Sequence, residues 1–184
     1  MLLLLGGLVG LVAGLLTGGR IGRLADIRFR HPWVVLVAYA ARELDVLYTP
    51  LAHSWLSPLF YTAALAALAI WTLLHRDRVP GIWLVAVGMV MNFTVVAANL
   101  GHMPVPLWLA TRGPHELIEK GFLGQYVLES SSTRLNFLDD WVALPGTLGR
   151  IFPQAYSPGD LVAVVGMAVS VFLSMRPRAA LTTR

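Results

Sequence analysis

The chain has no cysteine, which excludes disulfides, thiolate nucleophiles, iron–sulfur clusters and covalently attached haem, and leaves the redox compartment undetermined. Charge is also scarce. Asp, Glu, Lys and Arg make up 13% of 184 residues, against 57% hydrophobic ones, too little to solvate an ordinary globular surface. Lysine is almost missing: Lys120 stands alone among 14 cations, and no serine occupies a recognisable nucleophile motif for it to activate. There is no glycine-rich phosphate loop and no internal repeat, which weakens an inverted-repeat transporter. The net charge of +4 is carried by arginines that flank apolar runs. That is the pattern of topological anchors rather than of a nucleic-acid footprint.

What the chain does have is long apolar runs, and a mean hydropathy of +0.68. Residues 2–19, 32–49, 56–74, 81–100 and 159–175 each read as a membrane span. The expected fold is therefore an all-α polytopic transmembrane bundle of five spans, a single domain over 1–184. Residues 101–158 would form an external cap containing an interfacial or re-entrant helix. The N-terminus lacks a basic leader region, and Thr17-Gly18-Gly19-Arg20 is a poor cleavage site, so 2–19 is read as a retained first span.

Arginine sets the orientation. With five spans, Arg20, Arg23, Arg28, Arg30, Arg76, Arg78, Arg176, Arg178 and Arg184 all fall on one side. The positive-inside rule makes that side cytoplasmic, with the N-terminus external and the C-terminus inside a bacterial cytoplasmic membrane. Between Arg20 and Arg30, basic positions alternate with Ile21, Leu24 and Ile27, which suits a short helix lying on the headgroups. Gly6, Gly10, Gly14 and Gly18 recur every four residues and line one helix face. Such a stripe serves either packing inside the bundle or contact with a partner subunit or a second copy. Membrane lipids are the other expected partners; nucleic acid is not one.

Polar residues collect toward the external face. Arg42, Glu43 and Asp45 interrupt the second run, Asn99 and His102 close the fourth, and Asp160 opens the fifth. Charge inside a span is costly, so these six residues are the candidates for lining a polar pocket. Arg42 and Asp45, three apart, share a helix face and can pair. Asp139, Asp140 and Asp160 are the catalytic candidates, because two carboxylates sharing a proton can activate water. The alternative is that Asp139 and Asp140 are a solvated pair and that Ser157-Pro158-Gly159-Asp160 starts a helix, Asp160 favoured by its dipole. His102 and His115 match no local ligand spacing, so no metal is expected; nor is a cofactor. Asn92-Phe93-Thr94 matches a glycosylation sequon but lies within the fourth run, where it has no meaning as one.

Several motifs together carry a family resemblance: Gly18-Gly19-Arg20, Leu24-Ala25-Asp26-Ile27-Arg28, Arg76-Asp77-Arg78-Val79-Pro80-Gly81, Asn99-Leu100-Gly101-His102-Met103-Pro104-Val105, Thr133-Arg134-Leu135-Asn136-Phe137-Leu138-Asp139-Asp140 and Tyr156-Ser157-Pro158-Gly159-Asp160. Nearly end to end, the chain resembles an uncharacterised family of small bacterial multi-spanning membrane proteins, a domain of unknown function. That implies fold and location but no activity. A lesser likeness, over about a quarter of the chain, is to lipoprotein signal peptidase, an aspartate-dependent intramembrane protease. It implies catalytic roles for Asp160 and for Asp139 or Asp140. The asparagine and alanine of that family's last motif are absent here, as is its Gly-Asn-x-x-Asp-Arg element.

The expected function is a non-enzymatic binding or accessory component whose external polar pocket holds a lipid, a hydrophobic small molecule or a partner subunit. An aspartate-dependent membrane hydrolase is the alternative, and a small transporter the third.

Overall fold

A computed structural model describes residues 2–47, 50, 53–110, 115–151 and 154–177. Five long helices dominate it: α1 (Leu2–Leu16), α3 (Trp33–Leu47), α4 (Leu56–Leu74), α5 (Ile82–Ala98) and α9 (Pro158–Ser174). Each coincides with one of the apolar runs, trimmed by the residues that break it. Gly18, with φ of 81°, ends the turn after α1, and Gly81, with φ of 79°, immediately precedes α5. A left-handed backbone at both positions is open to glycine at little cost. Among the described residues, α4 is the one helix long and apolar enough to cross a membrane; α1, α5 and α9 are apolar but shorter.

The principal helix contacts run α3–α4, α4–α5, α5–α9 and α9–α1, so the helices form a lateral series rather than a ring. Small residues set the spacing. A methyl group added to Gly6 or Gly10 would strike the carbonyl of Val164 or Ala168 on α9, and one on Gly14 would strike Met175. The glycine stripe therefore packs inside the chain, bringing α1 backbone against α9 backbone. Gly18 takes no part, having open space around it. Gly88 and Gly159 do the same for α5 and α9, each lying where a Cβ would meet the other helix.

Segment 20–31 differs from the amphipathic helix expected of it. Only α2 (Gly22–Ala25) is helical; the rest is tied down by side chains. The Arg23 guanidinium and the Arg20 amide donate to the Met175 carbonyl, and the Arg30 amide donates to Nε2 of His75, which is buried. Trp71 donates to the Arg30 carbonyl and stacks on Phe29. These contacts satisfy the backbone without a helix.

Segment 101–156 is not wholly helical, a correction to the all-α reading. It contains α6 (Leu107–Ala110), α7 (His115–Glu119), a 3₁₀ turn (Asn136–Leu138) and α8 (Gly146–Ile151). Beside them lie two strand pairs: β1 (Met103–Val105) parallel to β2 (Tyr126–Leu128), and β3 (Val142–Ala143) antiparallel to β4 (Ala155–Tyr156). The helix expected within this segment is short: α7 stops at Glu119. Gly121, at φ of 71°, turns the chain, and 126–128 is captured by β1. Strand β1 is buried throughout, with Met103 packed among Tyr61, Leu65, Val95 and Val96 of α4 and α5. The segment thereby lies across the helix ends that hold the polar residues.

Candidate functional site

The start of α9 organises the polar residues. Ser157 is its N-cap: Ser157 Oγ accepts from the Asp160 amide at 2.9 Å while Asp160 Oδ2 accepts from the Ser157 amide at 3.2 Å. This is a reciprocal capping box, with Pro158 in the first turn. Two bonds extend it to α5. Ser157 Oγ donates to Asn92 Oδ1 at 2.7 Å, and Asn92 Nδ2 donates to Asp160 Oδ1 at 2.8 Å. Gly159 makes the arrangement feasible, since any side chain there would collide with the Asn92 amide. The expected capping role of Asp160 is present, and both of its carboxylate oxygens accept bonds within the chain.

Arg42 approaches from α3. Its guanidinium lies beside Tyr126 at the start of β2 and within Coulombic reach of Asp160, Asp140 and Tyr61 as well as of its neighbour Glu43. Its Nε is buried without a partner among the described residues. The side chain of Asp45, the partner expected from spacing, lies outside the described residues.

Asp140 is buried and positioned by its backbone, whose amide donates to the Pro104 carbonyl of β1 at 3.2 Å. Burial pushes its carboxyl well above the usual carboxylate range; Asp160 adds to the rise and Arg42 opposes it. Tyr126 is pushed up to about 12, first by burial and then by Asp140, with Arg42 pulling the other way. Tyr156 is raised for the same kind of reasons, burial first, then Asp160 and Asp140. Asp139, also buried, is raised to about 7 by burial and by Glu129. The adjacent aspartates thus belong to different neighbourhoods: Asp140 joins Arg42 and Asp160, whereas the charge acting on Asp139 is Glu129.

Arg42, Asp140 and Asp160 are therefore brought together, with Glu43 beside them. Asn99 is committed elsewhere. Its Nδ2 donates to the Arg134 carbonyl and its Oδ1 accepts the Arg134 amide, both at 2.8 Å, clamping the loop to the end of α5. His102 bonds the Asn99 carbonyl at 3.3 Å through Nδ1 and lines a cleft of about 400 Å³ together with His53, Trp55, Pro58, Leu123 and Tyr126. Tyr126 belongs to both features, walling the cleft and lying beside Arg42. The sequence reading missed Asn92, Tyr61 and Tyr126. Asn92 carried a usable signal, an amide in the middle of an apolar helix, which demands a buried partner; the two tyrosines carried none.

Among the described residues no group of three His, Asp or Glu side chains is placed to hold a metal ion. No curated protein and no solved structure matches the chain. The model of a family of unknown function, DUF5317, matches residues 26–172, and the chain belongs to that family.

Proposed function

We propose that this chain is a five-span protein of the bacterial cytoplasmic membrane that binds an amphiphile at its outer face without altering it chemically. The membrane reading is supported by large apolar side chains exposed along every long helix. Leu4 and Leu8 of α1, Leu36 of α3, Ile70 of α4, Trp83 of α5 and Val165 of α9 are examples. Faces of that extent are stable in hydrocarbon and prone to aggregate in water. Helices of 15–17 residues reach roughly 22–26 Å, so α1, α5 and α9 cross with help from flanking turns or a locally thinned bilayer. The arginine distribution supports an external N-terminus, an external segment 101–158 and a cytoplasmic C-terminus.

The observation that carries the binding reading is the double membership of Tyr126. Trp55, Pro58 and Leu123 give the cleft an apolar wall, His53 and His102 add imidazole rings to it, and Tyr126 joins that wall to the buried charges around Arg42. That combination suits a molecule with an apolar body and a polar head, a lipid or a hydrophobic small molecule. Native mass spectrometry of the detergent-purified protein tests this. Wild type should retain an amphiphile that Leu123→Trp, which fills the cleft, loses. Equal retention by both would refute the assignment, and loss of a copurified protein instead would make the occupant a partner subunit.

The hydrolase is the second reading, favoured by one observation: Asp160 contributes to raising the Asp140 carboxyl above the usual carboxylate range, and a raised acid with a second carboxyl nearby is what acid–base chemistry needs. Against it, both Asp160 oxygens are occupied by Asn92 and Ser157. On the binding reading, Asp160→Asn folds and keeps its amphiphile. A folded protein that loses all cellular function in both Asp160→Asn and Asp140→Asn would favour the hydrolase.

A further inference from the structure

The turn at 136–140 holds more buried acceptors than donors. Asp139 is 1% exposed, yet neither carboxylate oxygen has a hydrogen-bond partner among the described residues, and the same holds for Asn136 Oδ1 and Asp140 Oδ1. Four oxygens from three side chains within five residues lack donors, whereas buried polar atoms are ordinarily paired. The backbone prevents the turn from relaxing outward. The Leu138 amide donates to the Leu135 carbonyl at 2.8 Å, the Asp140 amide to Pro104, and the Trp141 amide to the Asp139 carbonyl at 3.0 Å.

Glu129 completes the group from the end of β2. Its own amide is held by the Val105 carbonyl at 2.9 Å, and its Oε1 accepts Asn136 Nδ2 at 2.5 Å. That bond orients the Asn136 amide, leaving Oδ1 as the unpartnered atom. Glu129 also acts electrostatically on Asp139. No arginine, lysine or histidine side chain donates a hydrogen bond to these oxygens among the described residues, and the charge acting on Asp139 is the negative one of Glu129.

We propose that Glu129, Asn136 and Asp139 form a binding site for a hard divalent cation of the calcium class. Oxygen-only ligands, two carboxylates and one amide, select calcium over zinc or copper, which favour nitrogen and sulfur. Three protein side chains leave the rest of a six- to eight-oxygen shell to water and backbone carbonyls. A site with so few charges belongs with the weak extracellular calcium modules, at about 10⁻⁴–10⁻³ M. Cation binding ties the end of β2 to the 3₁₀ turn, and so braces the segment that carries both Tyr126 and Asp140. The inference stands independently of what occupies the cleft.

The test uses the full chain in detergent, stripped with EDTA at neutral pH and titrated with CaCl₂ while thermal unfolding is followed. The expected result is a saturable rise in melting temperature with a midpoint near 1 mM, weaker with MgCl₂, and absent in both Asp139→Asn and Glu129→Gln. Terbium supplies a direct readout. Trp141, whose indole donates to the Phe137 carbonyl of the same turn at 3.1 Å, should sensitise Tb³⁺ luminescence that CaCl₂ displaces and Trp141→Phe removes. No shift with CaCl₂, an equal shift with MgCl₂, or an unchanged response in the Glu129→Gln protein would overturn the proposal. So would an Asp139→Asn protein more stable than wild type at every calcium concentration, which would mean that Asp139 is satisfied by a proton.

Discussion

Replacing Asn92 with alanine removes two hydrogen bonds from the contact between α5 and α9, the Asn92–Asp160 bond of 2.8 Å and the Ser157–Asn92 bond of 2.7 Å. In a dry protein interior a bond to a charged group is worth about 1.5–3 kcal/mol and a neutral one about 1 kcal/mol. Two facts reduce the sum. Asp160 is part-exposed, and on the membrane reading proposed above helix pairs average about 0.6 kcal/mol per hydrogen bond because the separated helices find other partners. A net loss of about 2 kcal/mol follows, between those bounds. Thr94 provides the control: it lies on the same helix, is exposed, and bonds only the Val90 carbonyl at 2.7 Å. Thr94→Ala should stay within about 0.5 kcal/mol of wild type. Tryptophan fluorescence during unfolding in mixed detergent and SDS micelles measures both. A double-mutant cycle with Ser157→Ala should show coupling of about 1 kcal/mol, since Asn92 and Ser157 are in contact. If Asn92→Ala unfolds at the same SDS fraction as Thr94→Ala, the network contributes nothing and the reasoning is wrong.

Orientation is testable with single cysteines at Ser131 and Asp77, both exposed. In intact spheroplasts an impermeant thiol reagent should label the first and spare the second, and the opposite pattern would invert the topology. Gly10→Ala should already destabilise the detergent-solubilised protein by about 1–3 kcal/mol, because its methyl would meet the Ala168 backbone and overpacking costs that much. Wild-type stability would place α1 away from α9. In EDTA, stability should fall as pH rises from about 4 to about 7. Asp139, raised from 3.8 to about 7 in the fold, holds its proton there while the unfolded chain has lost it. Asp139→Asn should flatten that slope, and an unchanged pH profile for the variant would show that the carboxyl does not titrate in this range.

Features with a local period or a local cap were legible in the sequence. The apolar run 56–74 is α4 residue for residue, because length and hydropathy suffice to define such a helix. The Ser157–Asp160 capping box also follows from residues three apart, with Pro158 in the first turn. The glycine stripe predicted a close helix contact, which Gly6, Gly10 and Gly14 make and Gly18 does not; that α9 answers it could not be read from α1, since any smooth helix face would serve. The same limit governed the polar residues. Asp139 and Asp140 are indistinguishable in sequence, yet the bond from the Asp140 amide to Pro104 turns one toward Arg42 and Asp160 and leaves the other beside Glu129. Arg42 finds Tyr126 only because β2 pairs with β1 across a turn at Gly121. Short strands of this kind are specified by the partner that covers them rather than by their own residues. Local propensity acts over a few residues and is written in the chain. Which buried charges meet is decided by how distant segments close on one another, where the cost of desolvation selects the pairing.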